Sequence, residues 1–97
     1  MAFARGRGFF NPLFTVKFLK SNLPSARFTV VVSTKVSKRA VVRNKIKRQI
    51  REFVRLNLNN FSVGDYAIIV KPIAAKKEKA IIIKAFSDLV TSAKLLK

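Results

Sequence analysis

Residues 27–55 read RFTVVVSTKVSKRAVVRNKIKRQIREFVR, and the chain changes its period inside this stretch. From Arg27 to Ser33 every second residue is apolar, with Phe28, Val30 and Val32 on one face and Thr29, Val31 and Ser33 on the other, the pattern of a half-buried strand. After Ser37, a residue type that caps helix N-termini, the period becomes 3.6 and holds to Asn59-Asn60. At 100° per residue Val42, Ile46, Gln49, Ile50 and Phe53 share one stripe, while Arg43, Asn44, Lys47, Arg48, Arg51 and Arg55 fall on the broad opposite arc. A strand that feeds such a helix predicts packing of the stripe onto a sheet, with the cationic arc left facing outward.

Upstream, Phe14, Val16 and Phe18 alternate with Thr15, Lys17 and Leu19 as a second strand, and the turn-forming run Ser21-Asn22-Leu23-Pro24-Ser25 would join the two strands as an antiparallel hairpin. Downstream, Gly64-Asp65 reads as a turn, and Tyr66 to Lys71 as a short buried strand that ends at Pro72. From about Ala75 onward, Ile82, Phe86, Leu89, Val90 and Ala93 recur at helical spacing and predict a second amphipathic helix. The order β, β, α, β, α, with room for another short strand near the N-terminus, predicts an α/β (α+β) two-layer sandwich. Residues 1–97 then form one domain, with no repeat or interdomain linker.

The formal charge is +17, from 21 Lys and Arg against Glu52, Asp65, Glu78 and Asp88, a field that selects a polyanionic partner, nucleic acid first. An anionic membrane surface is a rival, but apolar runs such as Ala67 to Val70 and Ala80 to Ile83 are too short to span a bilayer. The N-terminus lacks the apolar stretch and cleavage site of a signal peptide. The absence of Cys and His removes disulfides, thiolate and imidazole metal ligands and an imidazole base, and a reducing, cytoplasmic setting is expected. The four acids are scattered, so the carboxylate cluster of a protein-only nuclease is not in view, and no catalytic or metal-ligating residue is expected in the chain. Glu52 is expected to pair with Arg48 or Arg55 along the helix. Arg5-Gly6-Arg7-Gly8 is too short for a phosphate cradle and reads as a basic terminus.

Between Lys35 and Arg55 lie nine cations, Lys35, Lys38, Arg39, Arg43, Lys45, Lys47, Arg48, Arg51 and Arg55, against the single acid Glu52. Like charges at i, i+4, such as Arg43 with Lys47 and Lys47 with Arg51, cost an isolated helix a few tenths of a kcal/mol per pair. Phosphates along that face would relieve the repulsion and release condensed counterions. Arginine offers phosphate a two-donor fork, lysine a mobile point charge, and Asn44 both a donor and an acceptor. A ribosomal-type structural protein could use the same helix on RNA, whereas a helix-turn-helix DNA binder would need a short helix pair that this sequence lacks.

The segment Arg43-Asn44-Lys45-Ile46-Lys47-Arg48-Gln49-Ile50-Arg51-Glu52 resembles the RNR motif of the ribonuclease P protein family: Arg-Asn, two residues, Lys-Arg, two residues, Arg-Glu. The lead-in Val32-Ser33-Thr34-Lys35-Val36-Ser37-Lys38-Arg39-Ala40-Val41-Val42 is similar to the family's strand, basic turn and Ala-Val. The likeness extends over most of the chain. It implies a sandwich with a left-handed crossover through the RNR helix, the reverse of the general rule. It also implies an RNA-binding subunit of ribonuclease P, which helps a catalytic RNA to remove the 5′ leader of precursor tRNA. Catalysis, and most of the Mg²⁺, would then belong to that RNA, and neither DNA nor a membrane would be a partner.

By the same resemblance Arg43, Asn44, Lys47, Arg48 and Arg51 contact the catalytic RNA near its active centre, and charge places Lys35, Lys38, Arg39 and Arg55 on the same surface. A cleft beside the sheet would hold the leader. There Phe3 is similar to a family aromatic that precedes a glycine, and Lys17 stands where many relatives carry an aromatic, so leader recognition would lean on charge. The family's usual helix upstream of Phe3 would be missing from this chain.

Overall fold

The computed structural model describes residues 7–22 and 24–96. Its sheet contains β1 (Arg7–Phe10), β2 (Phe14–Lys20), β3 (Arg27–Val31) and β4 (Gly64–Val70), and its helices are α1 (Ala40–Leu56) and α2 (Lys79–Ser92). The strand order is β1-β2-β4-β3. β4 pairs antiparallel with β2, from Phe14 opposite Val70 to Lys20 opposite Gly64, and parallel with β3, from Arg27 opposite Asp65 to Val31 opposite Ile69. The mixed α+β sandwich expected from the sequence is therefore the fold, and the extra N-terminal strand is β1, antiparallel to β2.

The predicted hairpin between β2 and β3 does not form, because β4 lies between them. β4 is the most continuously apolar of these strands, with Tyr66, Ala67, Ile68, Ile69 and Val70 in succession. At the centre both of its edges are hydrogen-bonded; a β2–β3 hairpin would have pushed it to an edge, leaving an apolar strand with unpaired backbone groups. The parallel β3–β4 pair then needs a crossover, which α1 supplies.

Gly64 is not in a turn either: it is the buried first residue of β4. A Cβ there would lie 2.4 Å from Cε1 of Phe18 and 2.6 Å from the backbone oxygen of Leu19, so the Phe18 ring takes the space of a side chain. The Ser37 hydroxyl accepts from the Arg39 N–H at 3.2 Å inside the turn before α1, and Arg39, with no side-chain bond of its own, occupies the N-cap instead. α1 stops at Leu56, and Leu58–Asn60 form a 3-10 turn. The second helix also starts later than its apolar spacing suggests, since Pro72–Lys76 is a separate 3-10 turn.

One face of the sheet carries Phe14, Val16, Phe18, Val30, Tyr66, Ile68 and Val70, all buried, and it meets Ile46, Ile50 and Val54 of α1 and Ile82, Phe86 and Val90 of α2. Aromatic rings link the layers. Phe28 stacks on Tyr66 with centroids 4.4 Å apart, Phe61 meets Tyr66 at 5.7 Å, and Phe86 meets Phe14 at 5.5 Å and Phe53 at 5.7 Å. Asn11 fixes the β1–β2 turn: its Oδ1 accepts from the N–H groups of Leu13 and Phe14, and its Nδ2 donates to the Ala85 carbonyl of α2.

Tyr66, the only tyrosine, donates its hydroxyl to the Ser62 carbonyl at 2.6 Å. Burial pushes this phenol up from 10.0 to about 12, and the charge of Arg7 opposes the rise. The folded state thus holds the proton more tightly than the unfolded state. The resulting stabilisation is fully present below pH 10.0 and is lost as the pH rises toward about 12. A spectrophotometric titration of the native protein should show no phenolate at pH 10.0, whereas denaturant should release a half-ionised tyrosine there.

Candidate nucleic-acid interface

The interface starts from the packing of α1. Ile46, Ile50 and Val54 are buried while Val42, Gln49 and Phe53 are half-buried, so the apolar stripe is the predicted one widened by Val54. This fixes the rotation of the helix and leaves Asn44, Arg48, Arg51 and Arg55 exposed, with Arg43 and Lys47 half-buried at the margin of the arc. Lys35, Lys38 and Arg39 are all exposed in the segment between β3 and α1. The first turn of α1 has no acidic residue and no side-chain cap, so the positive end of the helix dipole adds to these cations.

Arg43 has a structural duty that spacing did not reveal. Its Nη1 donates to the Ser37 carbonyl at 2.9 Å, tying the helix back to the preceding turn. The expected pairing of Glu52 does not occur. Glu52, Arg48, Arg51 and Arg55 line one shallow depression, yet the ion pairs among the described residues are Arg27–Asp65 and Lys84–Asp88 alone. Exposed pairs gain little in water once side-chain freedom is lost. The cations of α1 consequently have no carboxylate partner among the described residues.

A second surface is the sheet face that neither α1 nor α2 covers. Antiparallel and parallel register place Gly8, Lys17, Ala67 and Thr29 in one row, and Phe10, Thr15, Ile69 and Val31 in the next. Lys17 is exposed there, whereas Phe3, the other residue expected at that cleft, lies outside the described residues. Asp65 does not offset these cations, since Arg27 donates to it through Nε at 2.8 Å and Nη2 at 3.0 Å, holding its carboxyl below the ordinary range while burial acts the other way.

Sequence reasoning missed Phe10 and Lys71 on this face. Phe10 is 74% exposed, and the Lys71 Nζ stands 5.1 Å from its ring centroid. The alternation of Phe9 and Phe10 would have separated a core ring from an outward one, had β1 been assigned as a strand. Among the described residues no three His, Cys, Asp or Glu side chains gather as they would to hold a metal ion, and no helix is long and apolar enough to cross a membrane.

Fold and site together define a small α+β protein that presents a polycationic helix on one side of its sheet and leaves the other side open. The family described as Ribonuclease P matches residues 1–94. The chain belongs to the ribonuclease P protein family. It is 50% identical over 58 residues to the ribonuclease P protein component of Nostoc sp., covering 59% of this chain and 41% of that protein. With the corresponding protein of Chromobacterium violaceum it shares 38% identity over 79 residues, covering 81% of this chain and 65% of the relative. It thus spans less than two thirds of the length of these curated relatives. Among solved structures, the Staphylococcus aureus RNase P protein superposes with a TM-score of 0.92 at 26% identity, over 99% of this chain and 88% of that one. The Thermotoga maritima protein gives 0.80 at 26% identity, over 90% and 83%.

Proposed function

We propose that this chain is the RNA-binding protein subunit of ribonuclease P, acting in the cytoplasm with a catalytic RNA that removes the 5′ leader from precursor tRNA. The observation that carries this reading is the arc of unpaired cations on α1, in a chain of this family. Arg48, Arg51, Arg55 and Asn44 face outward from a helix whose rotation the core fixes, so they can meet phosphates with little rearrangement. Lys35, Lys38 and Arg39 extend the contact, with Arg43 and Lys47 at its margin, and Lys17 sits on the open sheet face that would take the leader. Mg²⁺ would be held mainly by RNA phosphates, and the protein would lower the repulsion between two polyanions as they approach.

The test is reconstitution with the catalytic RNA and a precursor tRNA at low Mg²⁺. Cleavage at the mature 5′ end should be stimulated by the chain and absent with the chain alone. Neutralisation of about five phosphates would give a slope of log K against log salt of about −3.5 to −4.5. A slope near zero, or co-sedimentation with ribosomes in place of stimulation, would overturn the assignment.

A further inference from the structure

Both helices begin at the same end of the sheet. α1 follows the C-terminal end of β3 and α2 follows the C-terminal end of β4, and these two strands are parallel. Both then run back toward the start of β4. α1 leads into it, and the residues after α2 return beside it, where the Ser62 N–H donates to the Leu95 carbonyl at 2.8 Å and Phe61 bridges Leu96. The segment ahead of α1 carries Lys35, Lys38 and Arg39, while the turn ahead of α2 carries Lys76 and Lys77 and the helix opens on Lys79; all six are exposed. The far end differs in character: residues 56–63 contain no charged side chain and expose Leu56, Leu58 and Val63.

The lysines ahead of α2 have no use inside the protein. Backbone bonds and one small side chain build their turn: the Lys71 N–H donates to the Leu13 carbonyl, the Lys77 N–H donates to the Ala74 carbonyl, and Ala74 has no exposed surface. Glu78 is the one acid in the run and makes no capping bond, and Lys84 beyond it is matched by Asp88 at 3.2 Å. Lys76, Lys77 and Lys79 are in none of the ion pairs among the described residues. Six cations at one end repel one another, and a polyanion relieves that repulsion as its condensed counterions are released. Neither residues 33–41 nor residues 71–81 include an aromatic side chain on which an unpaired base could stack. Such a surface reads phosphates and not bases, and paired RNA holds its phosphates in a fixed A-form array. We propose that Lys76, Lys77 and Lys79 form a second backbone contact which, with Lys35, Lys38 and Arg39, holds a paired segment of the catalytic RNA across this end of the sheet. The contact rests on the reading above that the chain binds such an RNA, and it lies outside both the arc of α1 and the open sheet face.

Replacing Lys76, Lys77 and Lys79 together by alanine should weaken affinity for the catalytic RNA by about 10-fold at physiological salt. The slope of log K against log salt should become shallower by about 2.7, the duplex value for three phosphates. Arginine at the same three positions should keep both near those of the wild type. Lys20→Ala combined with Lys94→Ala, which removes two exposed cations at the far end, should have little effect on either. Because the chain has no cysteine, Lys77→Cys supplies a single thiol for a tethered iron chelate. Its hydroxyl radicals should cut the catalytic RNA within a paired segment, and the same probe on Lys94→Cys should not cut there.

Unchanged affinity and slope in the triple alanine variant, with wild-type stimulation of cleavage intact, would remove the second contact and leave the ribonuclease P assignment standing. No binding and no stimulation by the wild type would overturn both. Cuts confined to unpaired RNA would mean that this end meets a single strand, and the proposal would fall. If the variant instead lost binding to phosphatidylglycerol vesicles at unchanged RNA affinity, the turn would be a lipid contact and the proposal would fall as well. Because all three lysines are exposed, the native fold should persist in every variant, which near-ultraviolet circular dichroism checks directly.

Discussion

Replacing Arg48, Arg51 and Arg55 together by alanine should weaken binding to the catalytic RNA on the order of 100-fold at physiological salt, with the fold intact. All three side chains are exposed on the outward arc of α1 and none is in an ion pair. Their removal therefore leaves no buried charge unpaired. A charge-assisted contact partly screened by water contributes about 1 kcal/mol, so three contribute roughly 3 kcal/mol. The salt dependence separates this from a general loss of shape: the slope of log K against log salt should become shallower by about 2 to 2.7 as three phosphate contacts disappear. Equal slopes for the variant and the wild type would mean that α1 does not meet the RNA. Arg43 would be the wrong residue for this test, because its bond to the Ser37 carbonyl mixes turn stability with RNA contact.

The largest effect on stability is expected from Phe86→Ala. Phe86 has no exposed surface, and its ring lies 5.5 Å from Phe14 of β2, 5.7 Å from Phe53 of α1 and 6.5 Å from Phe61. One side chain thus joins α2 to the sheet and to the cationic helix α1. Truncation removes that burial and leaves a cavity at a junction of three elements, which costs about 3–5 kcal/mol. Small domains hold only about 5–15 kcal/mol in total, and this one also carries the self-repulsion of a +17 charge. The thermal midpoint should drop by about 15–30 °C in calorimetry. Saturating RNA should recover part of the loss to the extent that the proposed partner binds the folded state more tightly than the unfolded chain. A drop of a few degrees would show that neighbouring rings collapse into the space and that Phe86 does not hold the layers together.

The residues of the candidate site were largely legible because their signal is local. Arg48, Arg51 and Arg55 follow from 3.6-residue periodicity, and the buried stripe that orients them, Ile46 and Ile50, is visible in the same window. The wrong expectations have both distant and local causes. Gly64 reads as a turn residue until Phe18, many positions earlier, is brought over it. Ser37 is a fair cap by type, but the chain enters α1 two residues later, with its hydroxyl already used by the turn. Glu52 is well spaced for Arg48 and Arg55, yet in open water that spacing alone does not close an ion pair.

Sequence by itself determined most of the elements, the charge and the cationic arc, since each depends on side chains within a few turns of one another. It also carried the motif from Arg43 to Glu52, whose family the whole-chain match bears out. Strand order was decided only in the tertiary structure, because β4 could satisfy both of its edges only between β2 and β3, and no local pattern records which edges a strand will fill. The open sheet face has the same origin. Phe10, Lys17 and Lys71 come from three separate segments, and the register of four strands sets them on one surface.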